Sequence, residues 1–391
     1  MRVLQVIPGL STRTGGPPVA VVESSLALKR CSVETVIFAT DMAQAASSRA
    51  RGRIERRDLP EGAEALDLRL FPARWPYRLV FSPELYRAVA DHARAFDVVH
   101  IHSLFLFPQF AAYRGARKGG VPYVVSPRGS LDPYLRQRSR PVKAIADALW
   151  QRGMLEGASA LHLTSDEEAR LVRDVARRVP RAVIPNGIRW SDYQDLPEGS
   201  EFRARWLGGD DAPIVLYLGR LSHKKGLDVL IRAFGIARRA IPDVRLVIAG
   251  PDDEELQPTL EAIAAREGVT ARVTFTGMLR GRERLAALAV ARVWALPSHS
   301  ENFGIAVLEA MAAGLPVIVS PGVNNAPEIS AAEAGVVCEQ TAEAFGAEIA
   351  ALLRDDARCT VLGEQGRAFA RQYDWDSVAP RLAAMYERVA A

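Results

Sequence analysis

Cysteine is scarce in this sequence, with three residues in 391, at positions 31, 338 and 359. The count is odd, the spacing wide and no C-x-x-C occurs, which excludes a disulfide framework and a zinc ribbon. Three buried thiols in a reducing cytoplasm are the expectation. No stretch of about 18 apolar residues occurs, so no spanning helix is expected. The opening run VLQVI is broken at once by Pro8 and Gly9, and no small-residue cleavage site follows. It reads as a buried strand, not as a signal-peptide core. A large excess of one charge is also missing. The chain carries 50 Lys+Arg against 46 Asp+Glu, net +4, which weakens any case for a nucleic-acid protein. G-x-G-x-x-G is absent, and with it the dinucleotide fingerprint.

What is present is an ordinary globular composition, 49% hydrophobic and 25% charged, which excludes general disorder. The length predicts two to three domains. The basic excess lies in the first 187 residues, while the remainder is net acidic. That asymmetry suits an anionic partner such as a membrane surface, a lipid phosphate or an acidic glycan. A solvated arginine-rich surface accounts for it equally well.

Short apolar runs alternate with helical patterns. Strands are expected over 3–7, 34–39, 98–102, 123–126, 160–164 and 182–185, with helices over 19–29, 83–95, 104–118, 143–153 and 166–175. The pattern restarts after a Gly-, Asp-, Pro- and Glu-rich stretch, with strands over 214–218, 245–249, 272–275, 293–296, 316–320 and 335–338. Such alternation predicts parallel sheets covered on both faces. The reading is α/β, with two doubly wound, Rossmann-like domains facing across a cleft. Domain one spans 1–187, a linker 188–212 and domain two 213–373, and a helix over 374–391 packs back on the first domain.

The strongest constellation is SHSENFGIAVLEAMAAGLP, residues 298–316. A strand ends before it, Asn302 is the expected N-cap, and a helix is expected from Gly304 to Ala313. The free amides of Phe303, Gly304 and Ile305 would form an anion site. Glu301 precedes the helix. Glu309 lies inside it among apolar residues and needs a hydrogen-bond partner, which a ribose could supply. A capping loop with an ordinary first-turn glutamate is the bland alternative. The second constellation is LGRLSHKKG, residues 218–226, where Arg220 and Lys225 flank a turn closed by Gly226 and could share one diphosphate. The third is TGGPP, residues 14–18, a flexible loop before a helix. The fourth is DVVHIH, residues 97–102, which sets His102 at a strand end; a satisfied structural histidine is the competing reading.

These residues resemble the retaining glycosyltransferases of family four, which have the GT-B fold. The likeness rests on Glu301 and Glu309 with seven residues between them, the SENFG loop, GRLSHKKG, the N-terminal Gly-Gly and IPNGI at 184–188. It implies that Arg220 and Lys225 hold a donor diphosphate and that the Phe303–Ile305 amides bind phosphate or the sugar ring. Glu301 would bind sugar hydroxyls, Glu309 the ribose, and His102 the sugar near its reacting carbon. Gly16 would let the N-terminal loop approach the phosphates or the acceptor. SPRGSLDP at 126–133 looks like a polysaccharide-assembly subgroup and makes Arg128 a candidate on the sugar or acceptor side. One departure is PGVNNAPE at 321–328, where many relatives carry Gly-Gly before the glutamate; Glu328 would still match, and Asn324 or Asn325 would replace a backbone contact.

The implied function is retaining, metal-independent transfer of a hexose from a UDP- or GDP-linked donor to a glycan or lipid-linked acceptor, with no cofactor and no nucleic-acid partner. The D-x-D at 374–376 precedes a helix, so Asp376 reads as a cap and not as a metal ligand. An epimerase or phosphorylase of the same fold, a non-catalytic nucleotide-binding protein, and an oxidoreductase using Asp41 are the alternatives. A cytoplasmic location is expected. Arg136, Arg138, Arg140 and Lys143, before a helix with Ile145, Leu149 and Trp150, add an anionic inner membrane face as a candidate surface; a core helix with solvated arginines competes.

Overall fold

The computed structural model describes residues 1–44, 52–132, 144 and 146–391. It divides into two compact units, Met1–Gly187 with Trp375–Ala391, and Ile188–Asp374. The first contains β1 (Arg2–Gly9), β2 (Glu34–Thr40), β3 (Asp67–Phe71), β4 (Val98–His102), β5 (Tyr123–Ser126), β6 (Ala160–Leu163) and β7 (Arg181–Val183). They form one sheet in the order β3-β2-β1-β4-β5-β6-β7, and every pairing is parallel. The second contains β8 (Ile214–Leu218), β9 (Arg245–Ala249), β10 (Val273–Gly277), β11 (Val293–Leu296), β12 (Val317–Val319) and β13 (Val336–Val337). Their order is β10-β9-β8-β11-β12-β13, again all parallel.

The physical basis is the composition of the strands. Every residue of β8 and β11 is buried, as a sheet with helices on both faces requires. Strand order reverses between β1 and β4 in one sheet and between β8 and β11 in the other. In such sheets a crevice opens beyond the carboxyl ends of the two strands at the reversal, so ligand chemistry is expected after Gly9, His102, Leu218 and Leu296.

Three expectations are corrected. Strand β3 was not foreseen, because Leu68 and Leu70 alternate with Asp67 and Arg69, which pair with each other on an exposed edge. The stretch 188–212 is not a bare linker. It carries the helix Ser200–Leu207, and Trp190, Tyr193, Phe202 and Leu207 sink into the core of the second unit. Asp376 is not a cap: it lies in the first turn of the helix Trp375–Ala390 and pairs with Arg30 at 2.5 Å.

That last helix contributes Val378, Leu382 and Met385 to a cluster with Val3, Leu28 and Val98 of the first unit, and the Trp375 indole donates to Glu23 at 2.9 Å. Of the thiols, only Cys359 is buried; Cys31 and Cys338 are half-buried, and all three are free. Burial pushes the Cys338 thiol up to about 12. Arg136, Arg138, Arg140, Lys143 and Ile145, with Pro133, lie outside the described residues. Among the described residues no helix is long and apolar enough to cross a membrane.

Candidate active site

In the second unit, the loops after β8 and β11 are stitched together by backbone. Lys224 offers its carbonyl to the His299 amide at 2.7 Å and to the Ser298 hydroxyl at 2.8 Å. Glu254 braces the first loop, accepting from Ser222 Oγ at 2.9 Å and from the His223 amide at 3.1 Å. Gly226 closes the turn at φ 66°, and a Cβ there would stand 2.1 Å from the Pro297 carbonyl oxygen. Only glycine meets both demands. The second loop is held from the far side, where the Glu301 amide donates to Gly322 at 2.8 Å and Glu301 accepts from the Asn324 amide at 2.9 Å.

This framework brings Lys225 onto Glu301 in a direct ion pair, the two side chains 14% and 13% exposed. Lys224 stands 3.8 Å from the same carboxylate. Burial alone would raise the Glu301 carboxyl, but Lys224, Lys225 and Arg220 outweigh it and draw it down to about 2. The carboxylate is therefore ionised throughout the neutral range. The Tyr217 hydroxyl donates to the Arg220 carbonyl at 2.8 Å. The Arg220 guanidinium forms no ion pair or hydrogen bond with any described residue, which leaves its fork available.

The helix after this loop runs Ile305–Ala312, and its cap is Gly304 at φ 71°, not Asn302. The Phe303 ring is buried edge-on against Tyr373 at 5.8 Å, and its carbonyl accepts from Asn325 at 2.8 Å. The amides of Phe303, Gly304 and Ile305 donate to no described group, so the anion-binding end of the helix is open. Asn325 thus takes up a backbone contact in the departing PGVNNAPE segment, while Asn324 Nδ2 and Glu328 Oε2 are buried without a partner. Glu309 already has a partner: Arg284, from the helix Gly281–Val290, reaches it directly. Sequence reasoning missed Arg284 and Lys224, because a lone arginine on an exposed-looking helix and a second lysine in a loop carry no spacing signal.

In the first unit, Gly16 is exposed at the start of the helix Gly16–Arg30. Pro17 and Pro18 follow it and have no amide protons, so this helix end offers fewer donors than an ordinary one. His102 is 1% exposed. Its Nε2 meets Gln5 at 2.6 Å and its Nδ1 meets Arg128 at 3.3 Å. Neither ring nitrogen is left for a sugar. His100 contacts Tyr386 and Ser126, each at 2.7 Å. Asp41 is occupied by the Ala73 amide at 2.8 Å and by Arg53 at 3.4 Å, so it is not free for a cofactor ribose.

Residues 200–369 match the family described as Glycosyl transferases group 1, and residues 15–187 match Glycosyl transferase 4-like domain. The chain belongs to the group 1 glycosyltransferases. A curated relative, the D-inositol 3-phosphate glycosyltransferase of Xylanimonas cellulosilytica, is 28% identical over 95% of this chain and 91% of its own. Two solved structures share the architecture of this glycosyltransferase, each with a TM-score of 0.78. Sucrose-phosphate synthase of Thermosynechococcus elongatus is 22% identical, over 99% of this chain and 98% of that one. Anabaena HepE, solved with UDP-glucose, is 18% identical, over 99% and 100%. The fold class is GT-B.

Proposed function

We propose that this glycosyltransferase moves a hexose, with retention, from a UDP- or GDP-linked donor to a growing polysaccharide or its lipid carrier, using no metal and no cofactor. The observation that supports it most is the ionised Glu301 beside an unpaired Arg220 and open helix amides at the strand-order reversal. Arg220 and Lys225 take the diphosphate oxygens, the Phe303–Ile305 amides take phosphate or ring oxygens, and Asn302 lies in the same loop. Glu301 holds sugar hydroxyls and Glu309 the ribose. Gly16 and Arg128 belong to the first unit's share of the substrates, with His102 behind Arg128. The bond from the anomeric carbon to the phosphate oxygen breaks, and the acceptor oxygen bonds to that carbon on the same face. The acceptor proton passes to the leaving diphosphate, whose charge the two cations stabilise as it develops. Retention by this route calls for no base on the opposite face.

The test is a thermal-shift screen of UDP- and GDP-sugars, since a ligand that binds only the folded chain raises its melting point. Nucleotide release and the anomeric configuration of the product follow. An inverted product removes retention, dependence on inorganic phosphate points to a phosphorylase, and no shift with any nucleotide sugar sinks the reading. An anionic bilayer presenting the acceptor is part of the same proposal, supported by Leu149 standing 71% exposed. Vesicle co-sedimentation that ignores anionic lipid content rejects that part.

A further inference from the structure

Arg128 is held with unusual care for a residue two positions beyond a strand. Its backbone is left-handed, φ 54°, and Gly129 follows at φ 75°. Ser103 and Phe105, just after the neighbouring strand β4, are left-handed as well. Strained non-glycine residues gathered at the carboxyl ends of adjacent strands point to a working site. The buried Glu168 fixes the turn, accepting from the Gly129 amide at 2.8 Å with one oxygen and from Thr164 N and Oγ1 at 2.7 and 2.9 Å with the other. Glu168 is thereby spent on neutral donors and forms no ion pair with Arg128.

The guanidinium itself has only neutral partners. One terminal nitrogen donates to Asn186 and the other to His102, while Nε is buried with no partner. Burial lowers its pKa to about 10, which leaves it charged at neutral pH. Glu168 attracts it through space but makes no ion pair with it, and a largely buried cation with no directly paired anion and an idle N–H is costly unless an anion completes it.

The histidine beneath it is set by a chain with one allowed direction. His162 Nε2 meets the Ile184 carbonyl at 2.9 Å and must donate. Its Nδ1 therefore accepts from the Ser126 hydroxyl at 2.8 Å. Ser126 then accepts from His100 Nε2, whose Nδ1 accepts from the Tyr386 hydroxyl. Gln5 Nε2 donates to that hydroxyl at 3.3 Å, and Gln5 Oε1 accepts from His102 Nε2. One backbone carbonyl thus fixes every tautomer, and the chain ends with a lone pair on His102 Nδ1 aimed at Arg128. Burial first, with Arg128 among the further causes, depresses all three imidazoles, His162 to about 3, so the chain stays neutral.

We propose that Arg128 is the anion-binding residue of the first unit, taking a phosphate or carboxylate oxygen of a substrate, and that His102 is a positioning residue acting through it. The proposal rests on the glycosyl-transfer reading only for which substrate carries the anion. The test uses the full chain with Arg220→Gln, which removes the unpaired guanidinium beside Glu301, titrated calorimetrically with inorganic pyrophosphate and separately with glucuronate. Pyrophosphate preference assigns the anion to the donor, glucuronate preference to an acidic acceptor. Adding Arg128→Met should weaken the preferred anion about tenfold or more, about 1.4 kcal/mol, and Arg128→Lys should not restore it, because lysine lacks the planar fork. His102→Phe should weaken it severalfold, and His102→Asn, which keeps an acceptor near Nδ1, should recover most of that. The double variant Arg128→Met/His102→Phe should bind no more weakly than Arg128→Met alone. In imidazole 15N spectra, Arg128→Met should alter His102 Nδ1 and leave Nε2 protonated, which also reports that the unit is folded. No anion binding by the parent, equal affinity after Arg128→Met, or additive losses in the double variant each overturn the proposal. Absence of nucleotide-sugar turnover would sink the transferase reading and leave these outcomes intact.

Discussion

The two units place polar machinery at the same point of the same topology and solve its burial in opposite ways. In the second unit charge is met by charge: Glu301 is neutralised by Lys225, with Lys224 and Arg220 close by. In the first unit charge is avoided, and three neutral imidazoles, a glutamine, a serine and a tyrosine share hydrogen bonds in sequence. An ion cluster can exchange partners when a charged ligand arrives, because each member keeps a strong interaction. A neutral chain with fixed tautomers cannot rearrange without breaking every link, so it suits holding one group in place. The first arrangement fits a site where negative charge develops, the second a site that presents a rigid cation.

The largest effect that tests this contrast comes from the ion cluster. Glu301→Gln, Arg220→Ala and Lys225→Ala should each lower turnover by roughly two to four orders of magnitude, about 2.7–5.5 kcal/mol of barrier. Circular dichroism should show Glu301→Gln and Arg220→Ala folded. A loss below tenfold in any of the three means that the cluster is a structural ion network and not a donor site.

Next in size is acid sensitivity, where the units should part. Each imidazole has a folded pKa below its ordinary value, so its contribution to stability is complete above about pH 6.5 and is lost as the pH falls below that, for His162 toward about 3. At pH 5.5 the loss is on the order of 1 kcal/mol for His162, which stays neutral there. The Glu301 contribution is present above its ordinary carboxylate value and is lost only as the pH falls toward 2. Arg128, Arg381, Glu168 and Tyr386 also face the chain, and Arg128 and Arg381 oppose a further positive charge on His162. Urea denaturation between pH 7 and 5 should therefore show a slope that His162→Gln reduces by about one proton. An unchanged slope removes the neutral-chain account.

How much of this was legible in the sequence follows the same division. The ion cluster was readable because its members sit close along the chain on motifs with their own turn signals: Gly226 closes one loop, and Gly304 starts the helix beside Glu301. The fold was readable because buried parallel strands are continuous apolar runs, and β4, β5, β8, β9 and β11 fall where those runs do. The neutral chain was not readable. Gln5, His100, Ser126, His162 and Tyr386 come from four strands and the last helix, and a residue buried for a distant partner looks like any polar residue in a strand. Hence His102 reads from the sequence as facing the cleft, whereas its nitrogens are turned to Gln5 and Arg128. Helix Ser200–Leu207 was hidden for another reason, since its buried residues are diluted by a polar, glycine-bearing stretch.

A backbone contact offers a test of intermediate size. Gly226→Ala would force a left-handed alanine whose Cβ collides with a carbonyl, and backbone strain of this kind costs about 1–3 kcal/mol. Urea denaturation measures it. If the variant keeps full stability, the two loops are not held in contact by glycine.

The smallest expected effect concerns Glu309 and returns to the comparison, since it is the second carboxylate of the charged unit and has its own cation. Arg284 approaches Glu309 from the helix Gly281–Val290, and both side chains are mostly buried. If Glu309 grips a ribose, Arg284 fixes the carboxylate so that its remaining lone pairs meet the two hydroxyls. Arg284→Lys keeps the charge but gives up the fork, so the carboxylate should lose orientation and not ionisation. The donor KM should rise about threefold to tenfold with kcat unchanged, the pattern of binding lost equally in ground and transition states. A 2′-deoxyribosyl donor should lose less than the normal donor does, because it never used the full contact. If kcat falls and KM stays, Glu309 acts on the reacting sugar, and the division of labour between the two carboxylates must be redrawn.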